Sequence, residues 1–426
     1  MTALIRDAAR PFTGDALTAL LSPATRLLGL GEPTHGVEAF LELRNELCRH
    51  LVEHEGYRSI TMESDCLSAL AADAYVTDGI GTLDDAMSRG FSHGFGASSG
   101  NRELLRWMRA YNEGRPPHDR LHFHGFDGPL EITGAASPRP ALTALHDYLA
   151  AHLDLASSRE TLDELIGPDA RWTNPATIMD ATQSVGRTPE AKELRLIADD
   201  LRALLTAHAP HLTAATSPDD WWRADLYGRT AAGLLRYHAG MADPAATRVG
   251  ALMCLRDVMM ADNLDAVVRR EARRGPTLAF AHNRHLQRDK SHLQFAGLPL
   301  QWWSAGAIIG TRLGDQYGFA ATTFGARGSD VPPSRHPRRA PVHPPPRPRR
   351  HRSRTPRRGP RPEADAPRPG RPHVLAPRSG HHRPDRRHRL HQGNLSHPCW
   401  RRGQREVSGG ADPGRVLWLV LGGPGR

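Results

Sequence analysis

Two hydrophobic patterns alternate along the first three quarters of the chain. Short apolar or β-branched runs predict strands, and longer stretches with apolar residues at i, i+3, i+4 and i+7 predict amphipathic helices. The strands are expected at 26–30, 58–62, 121–126, 277–281, 304–310 and 319–324. The helices are expected at 37–55, 66–77, 101–113, 139–154, 157–166, 189–207, 219–239 and 246–274. This alternation is typical of an α/β protein with a mostly parallel central sheet flanked by helices.

The same patterns predict how the chain is divided. Residues 1–325 are expected to form one α/β domain. The block 138–274 has no convincing strand, so we interpret it as a helical insertion between the third and fourth strands. After Gly325 the hydrophobic periodicity stops, and 326–426 is predicted to be a disordered Arg/Pro-rich tail. Such a segment cannot bury enough apolar surface to offset the entropy lost on ordering.

Charge is distributed as unevenly as hydrophobicity. The tail holds 24 Arg, no Lys and six acidic residues, a net charge of +18, together with 19 of the 35 prolines. Residues 1–325 hold 32 basic and 40 acidic residues, a net charge of −8. Nucleic-acid binding is therefore not expected of the main domain and could arise only non-specifically through the tail. Two interpretations of the tail stay open: a basic arm that binds RNA or acidic surfaces, and translation of a GC-rich gene in a shifted reading frame.

Several protein classes are excluded by simpler features. The N-terminus has no apolar core of a secretory signal, and the longest late apolar run, 416–421, is too short to span a bilayer. The cysteines are widely scattered without a CxxC pair, which excludes a zinc ribbon and a dense disulfide framework: Cys48, Cys66, Cys254 and Cys399. These features favour a protein of the reducing cytoplasm with no membrane association.

Ionisable residues follow four of the predicted strands, at the point where each strand ends. They are Glu32 and His35, Glu63, Asp127, and the pair His282 and His285. In an open α/β sheet the carboxyl ends of the strands are where ligands bind, because the loops there converge on a rigid edge. One such residue could be a helix cap or a core polar group, but together they predict a site.

His35 is the leading candidate for chemistry. It lies between Pro33 and Gly36 on a strand-to-helix turn, beside the free N–H groups at the start of the next helix. An imidazole there can be neutral at neutral pH and accept a proton from water. Such a helix terminus can also stabilise a developing oxyanion.

Specific contacts are expected of three further residues, Arg44, His282 and His285. Arg44 falls within the apolar stripe of helix 37–55, where an unpaired cation is costly, so it is expected to pair with Glu32 or Glu63. The alternative is that its side chain reaches past the helix to solvent. His282 and His285 at spacing i, i+3 could bind zinc together with the two glutamates, although no HExxH motif is present.

Asp127 and a glycine-rich segment complete the candidate site. Asp127 is expected to orient one histidine or to cap the turn before Gly128-Pro129. Segment 92–100 lacks the Lys-Ser/Thr of a phosphate loop, and we interpret it as a flexible lid.

Several sequence segments resemble the erythromycin esterase family, in the same order as in that family. They are LLGLGEPTHGVEAFLELRNELCRHLVEHEGYRSITMESD, FSHGFGASSGNRELLRWMRAYNEG, HFHGFDGPLE, RDVMMADNL and LAFAHNRHL, and together they span about 15–325. The resemblance implies hydrolysis of an ester, in the best-known case the macrolactone of macrolide antibiotics, without a metal or other cofactor. It therefore also implies macrolide inactivation and antibiotic resistance.

The resemblance also implies roles for individual residues. It implies a general base at His35, paired acids at Glu32 and Glu63, the family arginine at Arg44, and a second histidine at His282. His285 and Asp127 are expected to contribute to substrate binding. The family continues as folded chain where this chain enters its Arg/Pro tail, so loss of activity through the missing elements is a further expectation.

The sequence therefore supports three functional hypotheses. The first is a metal-independent ester hydrolase in which His35 activates water. The second is a non-enzymatic protein that holds a metal or haem in the His/Glu cleft, and the third makes the tail a nucleic-acid-binding arm.

Overall fold

A central sheet organises the molecule. The computed structural model describes residues 13–131, 134–295 and 297–324, and the backbone of 417–421. The strands are β1 (Leu27–Glu32), β2 (Ser59–Asp65), β3 (His122–Asp127), β4 (Leu130–Glu131), β5 (Gly134–Ala135), β6 (Thr277–His282), β7 (Lys290–Phe295), β8 (Leu298–Trp303), β9 (Tyr317–Phe324) and β10 (Leu417–Leu421). Six of them form one sheet in the order β10-β9-β1-β6-β2-β3, in which only the β10–β9 pair is antiparallel.

Helices cover both faces of this sheet. They are α1 (Gly14–Thr18), α2 (Glu38–His54), α3 (Ala69–Asp78), α4 (Leu83–Arg89), α5 (Ser99–Asn112), α6 (Arg139–Ala150), α7 (Arg159–Ile166), α8 (Pro189–Ala207), α9 (Ala209–Ala215), α10 (Pro218–Met241), α11 (Arg248–Glu271), α12 (Asn283–Leu286) and α13 (Ala305–Leu313). Every residue of β1 is buried, as expected of a parallel strand covered on both faces. The predicted fold class, a mostly parallel sheet flanked by helices, is confirmed.

Three apolar clusters show how the layers pack. One face of the sheet packs on α2 to α5, with Leu51, Val76 and Leu105 almost fully buried. The other face packs on α11 and α13. Helices α6 to α10 enclose a separate cluster of their own. The described residues between β5 and β6 contain no strand, and the last helix of this block, α11, packs directly on the sheet through Met260 and Leu264. The division into a domain, an insertion and a tail stays a prediction.

Most predicted elements are present with small shifts of their ends. The eight predicted helices correspond to α2, α3, α5 to α8, α10 and α11, and five predicted strands to β1, β2, β3, β6 and β9. The strand predicted at 304–310 is wrong, because these residues belong to helix α13. The Ser304 hydroxyl caps that helix by accepting a hydrogen bond from the Ala307 N–H. A short apolar run fits either a strand or a helix, and the hydroxyl cap here starts a helix.

A hairpin and an edge strand are among the features that the pattern did not predict. Strands β7 and β8 form an antiparallel hairpin, with Gly297 in its turn at a φ of 80° that favours glycine. Residues Leu417–Leu421, within the predicted tail, form the edge strand β10. The rest of the predicted tail lies outside the described residues, as do both tail hypotheses. None of the described helices combines the length and apolar character needed to cross a membrane.

Candidate active site

The predicted residues meet at the carboxyl edge of the sheet. Glu32 and His282 end the neighbouring strands β1 and β6 and are register partners, and Asp65 and Asp127 pair in the same way at the ends of β2 and β3. Glu63 lies on β2, two residues before that strand ends. Parallel strands thus bring side chains that are more than 200 residues apart in sequence to one edge.

Glu32 and His35 form the first pair of this site. The chain turns from β1 into α2 through Gly36, whose φ of 77° a residue with a Cβ rarely adopts. This turn places His35 Nδ1 2.7 Å from Glu32 Oε1, while the ring remains partly open to solvent with 22% of the side chain exposed. The His35 Nε2 atom lies 3.7 Å from Glu63 Oε1, beyond hydrogen-bonding distance.

Burial and charge shift the pKa values of this pair. Burial raises the pKa of Glu32 above its ordinary value, although the hydrogen bond from His35 works against that rise. Burial alone would lower the pKa of His35, but the Glu63 charge and the Glu32 hydrogen bond outweigh it and raise the pKa. His35 therefore holds a proton more tightly than a free imidazole does.

Glu63 is the carboxylate on which the site converges. Its Oε1 faces His285 Nε2 at 3.3 Å and Arg256 Nη2 at 3.4 Å, and its Oε2 accepts a hydrogen bond of 2.8 Å from the His282 backbone N–H. Burial would raise the pKa of Glu63, but the charges of His285, His35 and Arg256 hold it far below its usual range. Glu63 is thus an ionised, buried carboxylate.

His285 is held from the opposite side by Asp257. The His285 Nδ1 atom lies 2.6 Å from Asp257 Oδ1. The second Asp257 oxygen accepts hydrogen bonds from the Trp302 indole N–H at 2.7 Å and the Ala305 backbone N–H at 3.1 Å. Burial opposes protonation of His285, yet the charges of Asp257 and Glu63 raise its pKa. The ring is therefore fixed with Nε2 toward Glu63.

His282 differs from the other two histidines in its protonation. Its Nδ1 accepts a hydrogen bond of 3.0 Å from the Arg284 backbone N–H, which caps α12. Burial lowers the pKa of His282 to about 4, so the ring is neutral at neutral pH. Because Nδ1 acts as the acceptor, the single ring proton is on Nε2. His282 is thus a neutral hydrogen-bond donor.

Asp127 makes both of the contacts that the sequence offered as alternatives. Its Oδ1 accepts a hydrogen bond of 2.8 Å from the Gly128 N–H, and its Oδ2 lies 3.0 Å from Nε2 of a histidine, which is His93. Asp127 also binds the Arg256 guanidinium, with 2.5 Å between Oδ2 and Nη2. It is fully buried, so it contacts the site only through these neighbours.

The ion pair expected for Arg44 is not formed. Arg44 is fully buried, but its guanidinium donates to Asn45 Oδ1 at 2.7 Å and Asn101 Oδ1 at 2.7 Å, and lies over the Phe280 ring. Among the described residues no carboxylate lies within ion-pair distance of it. Neutral amide acceptors on α2 and α5 satisfy the guanidinium instead, and burial lowers its pKa to about 10. The cation beside Glu63 is Arg256.

Comparison with known proteins agrees with this architecture. A sequence model described as "Erythromycin esterase" matches residues 52–351, which is more than half of the chain. The chain belongs to the erythromycin esterase family. Membership makes it a hydrolase of the esterase type. The match includes Glu63, Asp127, Arg256 and His282 and begins after Glu32, His35 and Arg44.

Two solved structures share the fold of this erythromycin esterase family member. A Bacillus cereus protein is 20% identical with a TM-score of 0.54, and the alignment covers 72% of this chain and 69% of that one. A mutant of the erythromycin esterase EreC in its open conformation is 21% identical with a TM-score of 0.52, covering 74% and 76%. No curated protein sequence gives a significant match.

Sequence reasoning missed three residues of this site in the family member. Arg256 and Asp257 lie on α11, where Arg256 shares an apolar stripe with Leu252 and Met260, so the argument used for Arg44 applied equally here. His93 lies in the segment predicted as a flexible lid, and no sequence pattern pointed to it. In the structure this segment is a short 3-10 helix and the start of α5.

A metal site was the remaining sequence-based possibility. Within the part of the chain that the structure describes, no group of three or more His, Cys, Asp or Glu side chains is arranged to hold a metal ion. The independence of the reaction from metals and cofactors stays a prediction.

Proposed function

We propose that this chain hydrolyses a carboxylic ester by using His35 as the general base that activates water. The observation that carries the proposal is the Glu32–His35 pair. Glu32 Oε1 lies 2.7 Å from Nδ1, whereas Nε2 has no hydrogen-bond partner among the described residues and the ring is partly exposed to solvent. A base for hydrolysis needs such a free ring nitrogen beside a water-accessible cleft.

The hydrolysis proceeds in two steps. In the first, His35 Nε2 removes a proton from water as the water oxygen attacks the ester carbonyl carbon, and the carbonyl oxygen becomes an oxyanion. In the second, the oxyanion re-forms the carbonyl, the C–O bond to the alcohol breaks, and the His35 imidazolium returns its proton to the leaving oxygen. The products are an acid and an alcohol, or one opened chain if the substrate is a lactone.

The two glutamates support His35 in different ways. Glu32 accepts a hydrogen bond from the Nδ1–H group, which fixes the tautomer with the lone pair on Nε2, as a carboxylate does for histidine in other hydrolases. Glu63 places a negative charge 3.7 Å from Nε2 and stabilises the imidazolium that forms. Each glutamate is held in turn by the sheet, since both lie on strands.

His282 is the donor that this geometry offers to the oxyanion. The His282 and His35 rings lie edge to face with their centroids 5.4 Å apart, and the His282 proton is on Nε2. A neutral imidazole that donates a hydrogen bond stabilises a developing negative charge without losing its proton. Arg44 is not available for this role, because its guanidinium donates to the amide oxygens of Asn101 and Asn45.

The substrate class follows from the family. We propose the macrolactone of a macrolide as substrate, with inactivation of the antibiotic as the result, and His285 and Asp127 as residues that shape the site. Action in the cytoplasm on a small molecule, with no metal, cofactor, membrane or nucleic acid, completes the proposal.

An assay with a matched control variant tests the proposal. The full chain is incubated with a panel of macrolides and simple esters, and mass spectrometry follows the gain of one water. We expect His35→Ala to lower kcat by about 10²- to 10⁴-fold, the usual contribution of a general base. His118→Ala is the control, because His118 is exposed and precedes β3 at the end of that strand opposite the site.

Two results would overturn the proposal. One is an unchanged rate for His35→Ala on any ester that the wild-type chain hydrolyses. The other is a wild-type chain that hydrolyses no member of the panel.

A further inference from the structure

His93 stands out first by its backbone. Its φ of 55° makes it the one non-glycine residue in the left-handed region among those that the structure describes. Side chains rarely adopt this conformation, and such strain persists where the surroundings hold the residue in place. The neighbouring residue Ser92 provides part of that hold: its N–H donates to Ser64 Oγ, and its Oγ accepts from the Asp65 N–H, both at 2.9 Å.

The His93 ring lies between two carboxylates. Its Nδ1 is 2.9 Å from Glu131 Oε2, its Nε2 is 3.0 Å from Asp127 Oδ2, and only 13% of the side chain is exposed. An ionised carboxylate can only accept hydrogen bonds, so both ring nitrogens must carry protons. Burial alone would lower the pKa of His93, but the hydrogen bonds to Asp127 and Glu131 raise it to about 10. His93 is therefore a cation at neutral pH.

A continuous series of charges connects this cation to the base of the proposed reaction. Asp127 is shared by His93 and Arg256, and Arg256 is shared in turn by Asp127 and Glu63. Glu63 then faces His35. Apart from His93 and Arg256, no described cation contacts Asp127.

We propose that His93 is a positioning residue for the hydrolysis, a buried imidazolium that shares Asp127 with Arg256 and thereby sets how strongly Arg256 holds Glu63 beside His35. This inference rests on the proposed function, in which His35 is the base. His93 itself touches neither water nor substrate in this role, since both of its ring nitrogens are occupied.

The sign of the effect follows from the charges around both rings. His93 faces Asp127 at the end of β3, Glu131 on β4 and Arg256 on α11. The groups that face His35 are Glu32 on β1, Glu63 on β2, His282 at the end of β6 and His285 on α12. Without the His93 cation, Asp127 would draw Arg256 away from Glu63, and the cluster would lose one positive charge. Both changes stabilise the protonated form of His35.

The Phe95 side chain packs against both His93 and His35, so a steric effect of replacing His93 must be separated from the electrostatic effect. The Phe95 ring lies 5.6 Å from the His93 ring and 5.1 Å from the His35 ring, centroid to centroid. Phe95→Leu removes this ring contact and leaves every charge in place, so it is the matched control.

The test measures the pKa of His35 directly. His93→Asn removes the charge, and asparagine tolerates a left-handed backbone better than other replacements. Imidazole NMR signals of the full chain are followed against pH, and the His35 signal is assigned by its absence in His35→Asn. We expect the pKa of His35 to rise by about half a unit to one unit in His93→Asn, as for one charge removed at moderate distance in a partly screened site. Phe95→Leu should shift this pKa clearly less than His93→Asn does, and His93→Lys should restore it.

A second variant tests the same series of charges in case His93→Asn does not fold. Glu131→Gln alters a side chain that is 59% exposed and removes a negative charge, so it should shift the pKa of His35 slightly in the opposite direction. An unchanged pKa of His35 in folded His93→Asn, or equal shifts in His93→Asn and Phe95→Leu, would overturn the role of His93. Failure of the proposed function is seen separately, in the turnover of His35→Ala, because the NMR titration needs no substrate.

Discussion

The His282 and His35 rings pack edge to face, with 5.4 Å between the ring centroids, and the two histidines have opposite pKa shifts. Two carboxylates raise the pKa of His35 against the effect of burial, whereas burial lowers the pKa of His282 to about 4. When two neighbouring titratable groups have pKa values shifted in opposite directions, the two groups typically have different roles in catalysis. Here His35 is the base and His282 is the neutral hydrogen-bond donor.

Replacing Glu32 should change both the rate and its pH dependence. In Glu32→Gln the amide can present its NH2 group to Nδ1 and favour the wrong tautomer, so we expect kcat to fall by up to about 10⁴-fold. The pKa of His35 should also fall, because a hydrogen-bonded negative charge is lost. Since the base works only when deprotonated, the acidic limb of kcat/KM against pH should move to lower pH. An acidic limb that stays in place would contradict the role of Glu32.

Replacing His282 should lower the rate without moving that limb. His282→Asn keeps an oxygen that can cap α12, as His282 Nδ1 does, but removes the Nε2–H donor. We expect kcat to fall by about 10²- to 10³-fold, the usual loss for one oxyanion donor. The acidic limb should stay, because His282 is already neutral at pH values well above 4. A shift of the limb equal to that of Glu32→Gln would instead make His282 part of the proton transfer.

The sequence predicted the strand-end residues well, because their convergence depends only on a parallel sheet. Glu32, Glu63, Asp127 and His282 lie at one edge whatever the details of side-chain packing. The hydrogen-bond partners of buried residues could not be predicted in this way. Helical periodicity showed that Arg44 is buried, but not that the side chain across from it is Asn101.

Distance along the chain and short apolar runs explain the other errors. Arg256 contacts Glu63 across 193 residues, and no local pattern encodes such a contact. The segment 304–310 has too few residues for its periodicity to separate strand from helix. His93 is defined by a left-handed backbone and two distant carboxylates, neither of which a single sequence displays.

The buried guanidinium of Arg44 should matter more for stability than for chemistry. Arg44→Met leaves the Asn101 carbonyl without its donor and weakens the contacts of Asn45, so we expect the free energy of unfolding to fall by about 1–3 kcal/mol. Urea unfolding gives that value, and the acidic limb of the activity profile should stay in place. A variant as stable as wild type that loses as much activity as His35→Ala would show that Arg44 acts on the substrate.

Stability against pH provides the last prediction, and it concerns His93. The folded-state pKa of His93 is raised to about 10, whereas an unfolded chain has a histidine pKa near ~6.5. A raised folded-state pKa contributes stability that is complete below the unfolded value and disappears as pH rises through the folded value. The difference in unfolding free energy between wild type and His93→Asn should therefore be largest near pH ~6 and should decrease steadily toward pH ~10. Urea unfolding of both proteins at several pH values measures this difference, in which the groups common to both proteins largely cancel. A difference that stayed constant with pH would mean that folding does not shift the pKa of His93, which would contradict an imidazolium held between two ionised carboxylates.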